Sequence, residues 1–347
     1  MNGTKAIRQE LTGMLVTALS RAQELGKLPP VALPEVILER SQNPDHGDYA
    51  SSLSLKLARA VSLNPLAIAR ELVALMTPGP EIASIEVAPP GFINFTMKDD
   101  WLTGQVVPIL TAGDAYGNSN IGEGSKVQIE FVSVNPTGPL HVGHGRGAVM
   151  GSTLSNVLSA SGYQVEREYY INDAGSQMDA FYGSLYARYL QYFGKEAEMP
   201  ANGYLGSYMI DLAQEIIAEV GDKFLQLSQS EAVSRLGAIG LERMLLQIKN
   251  DLMRMGVSFD TWFSERSLYQ NGQYRTVMNL LRQKSYIAEK EGAVWFVSTV
   301  LGEDKDNVVI RSDGSPTYFA TDIAYHYNKF LERKFDQVIN IWGADHQ

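Results

Sequence analysis

Over residues 5–25 the apolar positions Ile7, Leu11, Met14, Leu15, Leu19, Ala22 and Leu25 recur every three or four residues, and Gly26, Pro29 and Pro30 follow. That spacing predicts an amphipathic helix with a sharp stop. Two more helices are predicted over residues 48–61 and 64–76, the second with Asn64 as N-cap and Pro65 at its first position. The pattern then changes period. In "ASIEVAPPGFINFTM" apolar and polar residues alternate around Pro-Pro-Gly, which reads as two short strands joined by a turn. Residues 1–115 are therefore expected to form a small α+β domain, closed by the polar loop "GDAYGNSNIGEGS".

Beyond the loop, "KVQIEFVSV" has strand character, a helical pattern runs to about residue 161, and "YQVEREYYI" gives a second strand, which together make a βαβ unit. Residues 174–256 are helical throughout, with amphipathic stretches such as "LERMLLQIKNDLMRM". This is too much helix for one crossover, so it reads as an insertion between halves of a nucleotide-type α/β fold. Strand patterns return in "GAVWFVSTV" and "NVVIRS", a helix begins near Thr321, and "DQVINIWG" gives one more strand.

Composition narrows the chemistry. The 347 residues, 45% hydrophobic and 20% charged, suffice for a large core and two or three domains. No run of eighteen apolar residues occurs, and the N-terminus carries no long apolar segment after its charges, so neither membrane insertion nor export is indicated and a cytoplasmic location is expected. The chain has no cysteine, which excludes disulfides, thiolate metal sites and cysteine nucleophiles. A net charge of −10 argues against holding nucleic acid through a general cationic surface.

The most informative segment is "NPTGPLHVGHGRGAVMG", residues 135–151, between the strand and helix of the βαβ unit. A helix that starts directly after a strand aims unpaired N–H groups and the positive end of its dipole at the crevice, which suits phosphate. Gly143, Gly145 and Gly147 leave room for a nucleotide against the backbone. His141 and His144, three residues apart, share an edge of the first turn where both can donate to phosphate oxygens. Residues 143–148 also fit a Gly-x-Gly-x-x-Ala dinucleotide fingerprint, with Asp173 as the candidate ribose-binding acid. A His-x-x-His metal pair and a plain helix start are the other readings; no metal site is expected.

"HVGH", residues 141–144, resembles the HIGH signature of class I aminoacyl-tRNA synthetases. "EFVSVNPTGPLHVGHGRGAVMG" and "REYYINDAG" are similar to the bacterial-type arginyl-tRNA synthetases, as are "NPDHGDYASSLSLKLAR", "VAPPGFINF", "GYLGSYMIDLA", "SDGSPTYFATDIAYH" and "WGADHQ". The resemblance covers nearly the whole chain. It implies a Rossmann-like catalytic domain over residues 124–347, truncated and interrupted by the helical insertion, after an N-terminal additional domain. It implies arginine, ATP with Mg²⁺ and tRNA(Arg) as substrates and partners, no tightly bound cofactor, no membrane and a monomer. Arginine activation is expected to need bound tRNA.

By the same resemblance Glu130, Tyr318 and Asp322 hold the substrate guanidinium, Asn135 holds the amino-acid backbone, and Asp345 and His346 join His141, Gly143, His144 and Gly145 at ATP. Carboxylates and rigid acceptors suit a planar fork of donors. Phe92 and Asn94 match positions through which the family's N-terminal domain touches the tRNA elbow; for Phe92 a plain core role is the alternative. Residues 1–120 hold nine Lys plus Arg against twelve Asp plus Glu, so such recognition would be by shape and stacking. Nothing matches the family's second signature, KMSKS, and Gly138 stands where some members lacking it have lysine. The chain is therefore expected to be a fragment without the KMSKS loop and anticodon-binding domain, with impaired aminoacylation. The competing functions are a dinucleotide-dependent oxidoreductase and a non-catalytic synthetase-like binding protein.

Overall fold

The computed structural model describes residues 3–41 and 43–343. Two compact units divide the chain, residues 1–119 and 120–347.

In the first unit, helix α1 (Gly3–Glu24) precedes strands β1 (Leu38–Arg40) and β2 (Tyr49–Ser51), helices α2 (Leu53–Val61) and α3 (Pro65–Ala74), and strands β3 (Ile82–Ala88) and β4 (Phe92–Met97). The strands form an antiparallel sheet in the order β1-β2-β4-β3. Leu11, Leu15 and Leu19 of α1 and Leu57, Ile68 and Leu72 of α2 and α3 share a core with Ile93, Phe95 and Met97 of β4. Asn64 caps α3, its side chain accepting from Leu66 N at 2.8 Å. The helix expected from residue 48 starts later. Tyr49–Ser51 pairs with Ile93–Phe95 of β4 as strand, because Tyr49 and Ser51 point into the core at period two and the backbone pairing overrides the helical pattern. Helices α4 (Asp99–Gly104) and α5 (Val106–Ala112) end the unit.

The second unit begins with β5 (Lys126–Phe131), α6 (Val142–Ala160) and β6 (Gln164–Ile171). Helices α7 (Ser176–Tyr192), α8 (Ser207–Val220) and α9 (Gln229–Arg254) follow, then β7 (Thr261–Ser264), α10 (Glu265–Gln270) and α11 (Gln273–Gln283). Strands β8 (Ile287–Lys290), β9 (Ala293–Phe296) and β10 (Asn307–Ile310) lead to α12 (Tyr318–Tyr327), a π-turn over Asn328–Glu332 and β11 (Gln337–Ile341). Strands β11, β5, β6 and β7 form a wholly parallel sheet in that order. Numbered by appearance in this sheet the order is 4-1-2-3, so the winding reverses between β5 and β11, where open α/β sheets bind ligands at the carboxyl ends of their strands.

Two details differ from the sequence pattern. β7, in "TWFS", escaped a periodicity reading because four residues carry no alternation. "GAVWFVSTV" and "NVVIRS" do not rejoin the parallel sheet; with β8 they make a separate antiparallel one, ordered β10-β9-β8. Helices α7–α9 build a core of their own around Phe181, Leu185, Tyr189, Leu212, Ile216 and Leu236.

Candidate active site

A cavity of about 530 Å³ opens where the winding reverses. β5 and the residues after it supply Glu130, Ser133 and Asn135, β6 and the residue after it supply Tyr170 and Asn172, α10 supplies Glu265, and α12 supplies Tyr318, Thr321, Asp322 and Tyr325. Ile341, Trp342 and Gly343, at the end of β11, complete the lining. The chain leaves β5 through Val132 and Ser133 at φ +67° and +42°. Left-handed backbone is costly for a β-branched residue and persists only where its surroundings hold it. Ser133 Oγ accepts from Tyr170 N at 3.0 Å, and Tyr169 OH donates to Val134 O at 2.9 Å, so β6 pins the turn. Asn135 then donates to Gln177 on α7.

The cavity has an acidic side. Glu265 is only 4% exposed. Burial, and secondly the neighbouring Asp173 carboxylate, push its pKa up to about 7, against hydrogen bonds from Tyr170 and Thr321 that favour the charged form. With its amide turned to suit its neighbours, Asn172 also donates to Glu265 Oε2 at 2.7 Å. Asp322, one turn after Tyr318 on α12, faces His326 Nδ1 at 3.4 Å, and its hydrogen bond raises the histidine above the ordinary imidazole range. Glu265 was not among the expected residues. Its signal was positional, the first residue after a parallel strand, and was hidden with the short strand β7.

Glu130 reaches the cavity wall, but its carboxylate already holds a partner. Lys329, fully buried in the π-turn after α12, donates to Glu130 Oε2 at 2.7 Å and to Asn340 Oδ1 of β11 at 3.1 Å, with its ammonium 3.9 Å from the Tyr325 ring centre. Tyr325 OH donates to the buried Glu168 on β6, and Arg333 pairs with both Glu168 and Glu166. The end of α12 is thus tied to β11, β5 and β6 by charged and polar groups.

The second feature is the start of α6. His141 is its N-cap, and its Nδ1 accepts from Gly143 N at 3.1 Å; His144 Nδ1 accepts from His141 N at 3.3 Å. The rings stack with centres 3.5 Å apart. A ring nitrogen that accepts an N–H bears no proton, so each neutral imidazole carries its proton on Nε2. Burial, and then the nearness of His141, hold His144 below the ordinary imidazole range, so it is a neutral donor. His141 and Gly145, with Leu140, Arg146, Met150 and Arg254, line a second cavity of about 860 Å³. A Cβ on Gly145 would meet Met255 at 3.4 Å, while Gly147 faces open space and Gly143 faces only the His141 ring. Tyr208 of α8 donates to Thr137 O at 2.7 Å, so the helical insertion braces the loop before this turn.

Residues 105–347 match the family described as "tRNA synthetases class I (R), catalytic domain". The chain belongs to the class I arginyl-tRNA synthetases. Residues 5–97 match the arginyl-tRNA synthetase N-terminal domain. An arginine–tRNA ligase of Dehalococcoides mccartyi is 55% identical over all 347 residues, which span 62% of that relative's length. An arginine–tRNA ligase of Carboxydothermus hydrogenoformans is 46% identical over 97% of the chain and 61% of its own length. A crystal structure of a candidate arginyl-tRNA synthetase from Campylobacter jejuni is 36% identical with a TM-score of 0.64, covering 72% of this chain and 55% of that one. The Thermus thermophilus arginyl-tRNA synthetase, at 24% identity and TM-score 0.53 over 93% of this chain and 53% of that one, shares the fold.

Of the residues the synthetase resemblance singled out, Glu130, Asn135, Tyr318 and Asp322 share the first cavity, and His141 and Gly145 line the second. Asp345 and His346 lie outside the described residues. In the first unit Phe92 is half-buried on the sheet face opposite the core, and Asn94, beside it on that face, is buried between Ala50 and Glu86. Asp173 accepts from Ser264 Oγ at 2.6 Å and Arg266 N at 3.0 Å, so its carboxylate is committed and the dinucleotide reading loses its ribose acid. Among the described residues no three His, Asp or Glu gather as a metal site, and no helix is long and apolar enough to cross a membrane.

Proposed function

We propose that this chain holds the arginine and ATP sites of an arginine–tRNA ligase. The observation that carries the reading is the convergence of Asn135, Glu265, Tyr318 and Asp322 on one cavity at the reversal of the parallel sheet, from which α6 departs with His141 and His144 at its start. Glu265 and Asp322 take the guanidinium, since two carboxylates match its forked donors. Asn135 holds the α-amino and carboxylate end, and Tyr318, half-exposed at the rim, covers the alkyl stem.

The triphosphate, carrying its Mg²⁺, lies against the start of α6. An arginine carboxylate oxygen attacks the α-phosphorus; the new O–P bond forms as the bond to the β-phosphate oxygen breaks and pyrophosphate leaves. No group of the chain acts as nucleophile. The Nε2–H donors of His141 and His144 and the helix terminus oppose the charge that grows on the phosphates. A hydroxyl of the terminal ribose of tRNA(Arg) then attacks the arginyl carbonyl; the ester bond forms as the mixed-anhydride bond breaks and AMP leaves, with Phe92 on the N-terminal unit as a stacking surface for the tRNA. A cytoplasmic monomer is the setting that this reading takes.

The direct test is calorimetric titration of the chain with arginine and, separately, with ATP and Mg²⁺. Both are expected to bind, and His144→Ala is expected to weaken ATP on the order of tenfold or more while leaving arginine unchanged. A chain that binds NAD but neither ATP nor arginine overturns the proposal.

A further inference from the structure

The Lys329–Glu130 pair is absent from the chemistry above, although it forms part of the cavity wall. A cavity that takes a cation gains nothing from a buried ammonium close behind its lining, and Lys329 is 0% exposed and bonded to the lining residue Glu130. What Lys329 does gain is mechanical. It joins β5 through Glu130 and β11 through Asn340, the two strands between which the sheet winding reverses. It sits in the turn continuing the helix that carries Tyr318 and Asp322. Tyr325 and Arg333 complete the tie to β6 through Glu168. A helix fixed at its far end in this way keeps one register against the sheet, and its first turn meets Glu265 and Asn135 in one arrangement.

Resting on the arginine-site reading, we propose that Lys329 and Glu130 are a specificity-setting pair. Glu130 is the counter-ion of Lys329 rather than a ligand of the guanidinium, so that this wall is electrically neutral and the substrate cation is left to Glu265 and Asp322. This differs from the part that the synthetase resemblance implies for Glu130, that of a guanidinium ligand. It also accounts for the charge arithmetic of the wall: a third free carboxylate would favour any cation without regard to shape, and an uncancelled ammonium would repel arginine.

The two halves of the pair therefore act in opposite directions on one measurable ratio, the preference for arginine over citrulline, which replaces the guanidinium with a neutral ureido group of the same shape. Glu130→Gln leaves the ammonium uncancelled and is expected to lower that preference about tenfold or more, the size of an unopposed unit charge several ångströms away at an effective dielectric near 20. Lys329→Met leaves the carboxylate uncancelled and is expected to raise the preference and to add measurable lysine binding. The double variant Glu130→Gln/Lys329→Met, neutral and close in shape, is expected to return within about threefold of wild type, as neutral replacement of a buried pair is often tolerated. Citrulline affinity reports folding in every arm. If Glu130→Gln does not fold, the comparison of Lys329→Met with the double variant decides, and the former must show the higher preference. Variants that lose arginine and citrulline in proportion, or an unchanged preference in all of them, overturn the proposal while leaving the arginine site intact. A wild-type chain that binds neither amino acid overturns the site reading and this inference with it.

Discussion

Arginine affinity should fall as the pH is lowered through neutrality, and the structure sets by how much. Glu265 is pushed up to about 7 by burial and by Asp173, so near neutrality about half of the unliganded molecules carry a proton there. A guanidinium stays charged throughout and demands the carboxylate, so arginine must displace that proton. With binding restricted to the ionised form, the dissociation constant is multiplied by (1 + 10^(7 − pH)), which rises about tenfold from pH 8 to pH 6. At pH 7 binding should release roughly half a proton per arginine, measurable by titration in buffers of different ionisation enthalpy. The sign for folding is separate. A carboxyl raised above its ordinary value disfavours the fold once ionised, so the cost is full above about pH 7 and is relieved as pH falls toward the ordinary value of 4.5. His326 pulls in the same direction as Glu265, because its protonated ring competes for Asp322. Glu265→Gln distinguishes them: it should bind arginine at least tenfold more weakly at pH 8 and lose most of the pH dependence. A wild-type affinity that changes less than about twofold between pH 6 and 8, or a full tenfold change surviving in Glu265→Gln, would refute the assignment.

Two further outcomes test the scaffold. A Cβ on Gly151 would fall 2.1 Å from the fully buried Phe131 ring, which has no free direction, so Gly151→Leu should cost about 3 kcal/mol or more by overpacking α6 against β5, read as a lowered urea midpoint. Arg333→Met leaves Glu168, which is 0% exposed, with Tyr325 as its remaining side-chain partner among the described residues and should cost about 3–5 kcal/mol; a change below about 1 kcal/mol would show that Arg333 contributes little to the fold.

What the sequence disclosed depended on how local each signal was. α1, α3 and the β3–β4 hairpin carry their period, caps and turn within their own residues, and those elements are formed. The strand over Tyr49–Ser51 is decided by partners outside it, β1 on one side and β4, more than forty residues away, on the other, and its own three residues cannot outvote the helical pattern that follows. In β5, "KVQIEF" alternates as though one face met water, yet Gln128 and Glu130 are buried because the strand is central and covered on both faces. The partner that makes burial of Glu130 tolerable, Lys329, is 199 positions away and announces nothing locally. The turn at His141–His144 was legible because its spacing and its place after a strand are one local pattern. Glu265 was not, since its role comes from standing at the end of a strand too short to show a period.

On the proposed reading, the same features let an acidic chain hold both a cation and a polyanion. A net charge of −10 spread over 347 residues gives no local preference, so discrimination must come from which charges are left uncancelled and where. On the proposed arginine side Lys329 cancels Glu130, Arg333 faces Glu166 and Glu168, and backbone and hydroxyl donors occupy Asp173; Glu265 and Asp322 face the cavity, Asp322 shared with His326. At the start of α6 His141 and His144 each accept a backbone N–H at Nδ1 and so turn Nε2–H outward, and on the proposed reading they meet phosphate as donors. A permanently cationic pair there would attract a triphosphate more strongly and disfavour a cationic substrate. In the proposed mechanism, neutral donors at the helix terminus oppose the charge that develops on the phosphates while leaving the amino-acid site acidic.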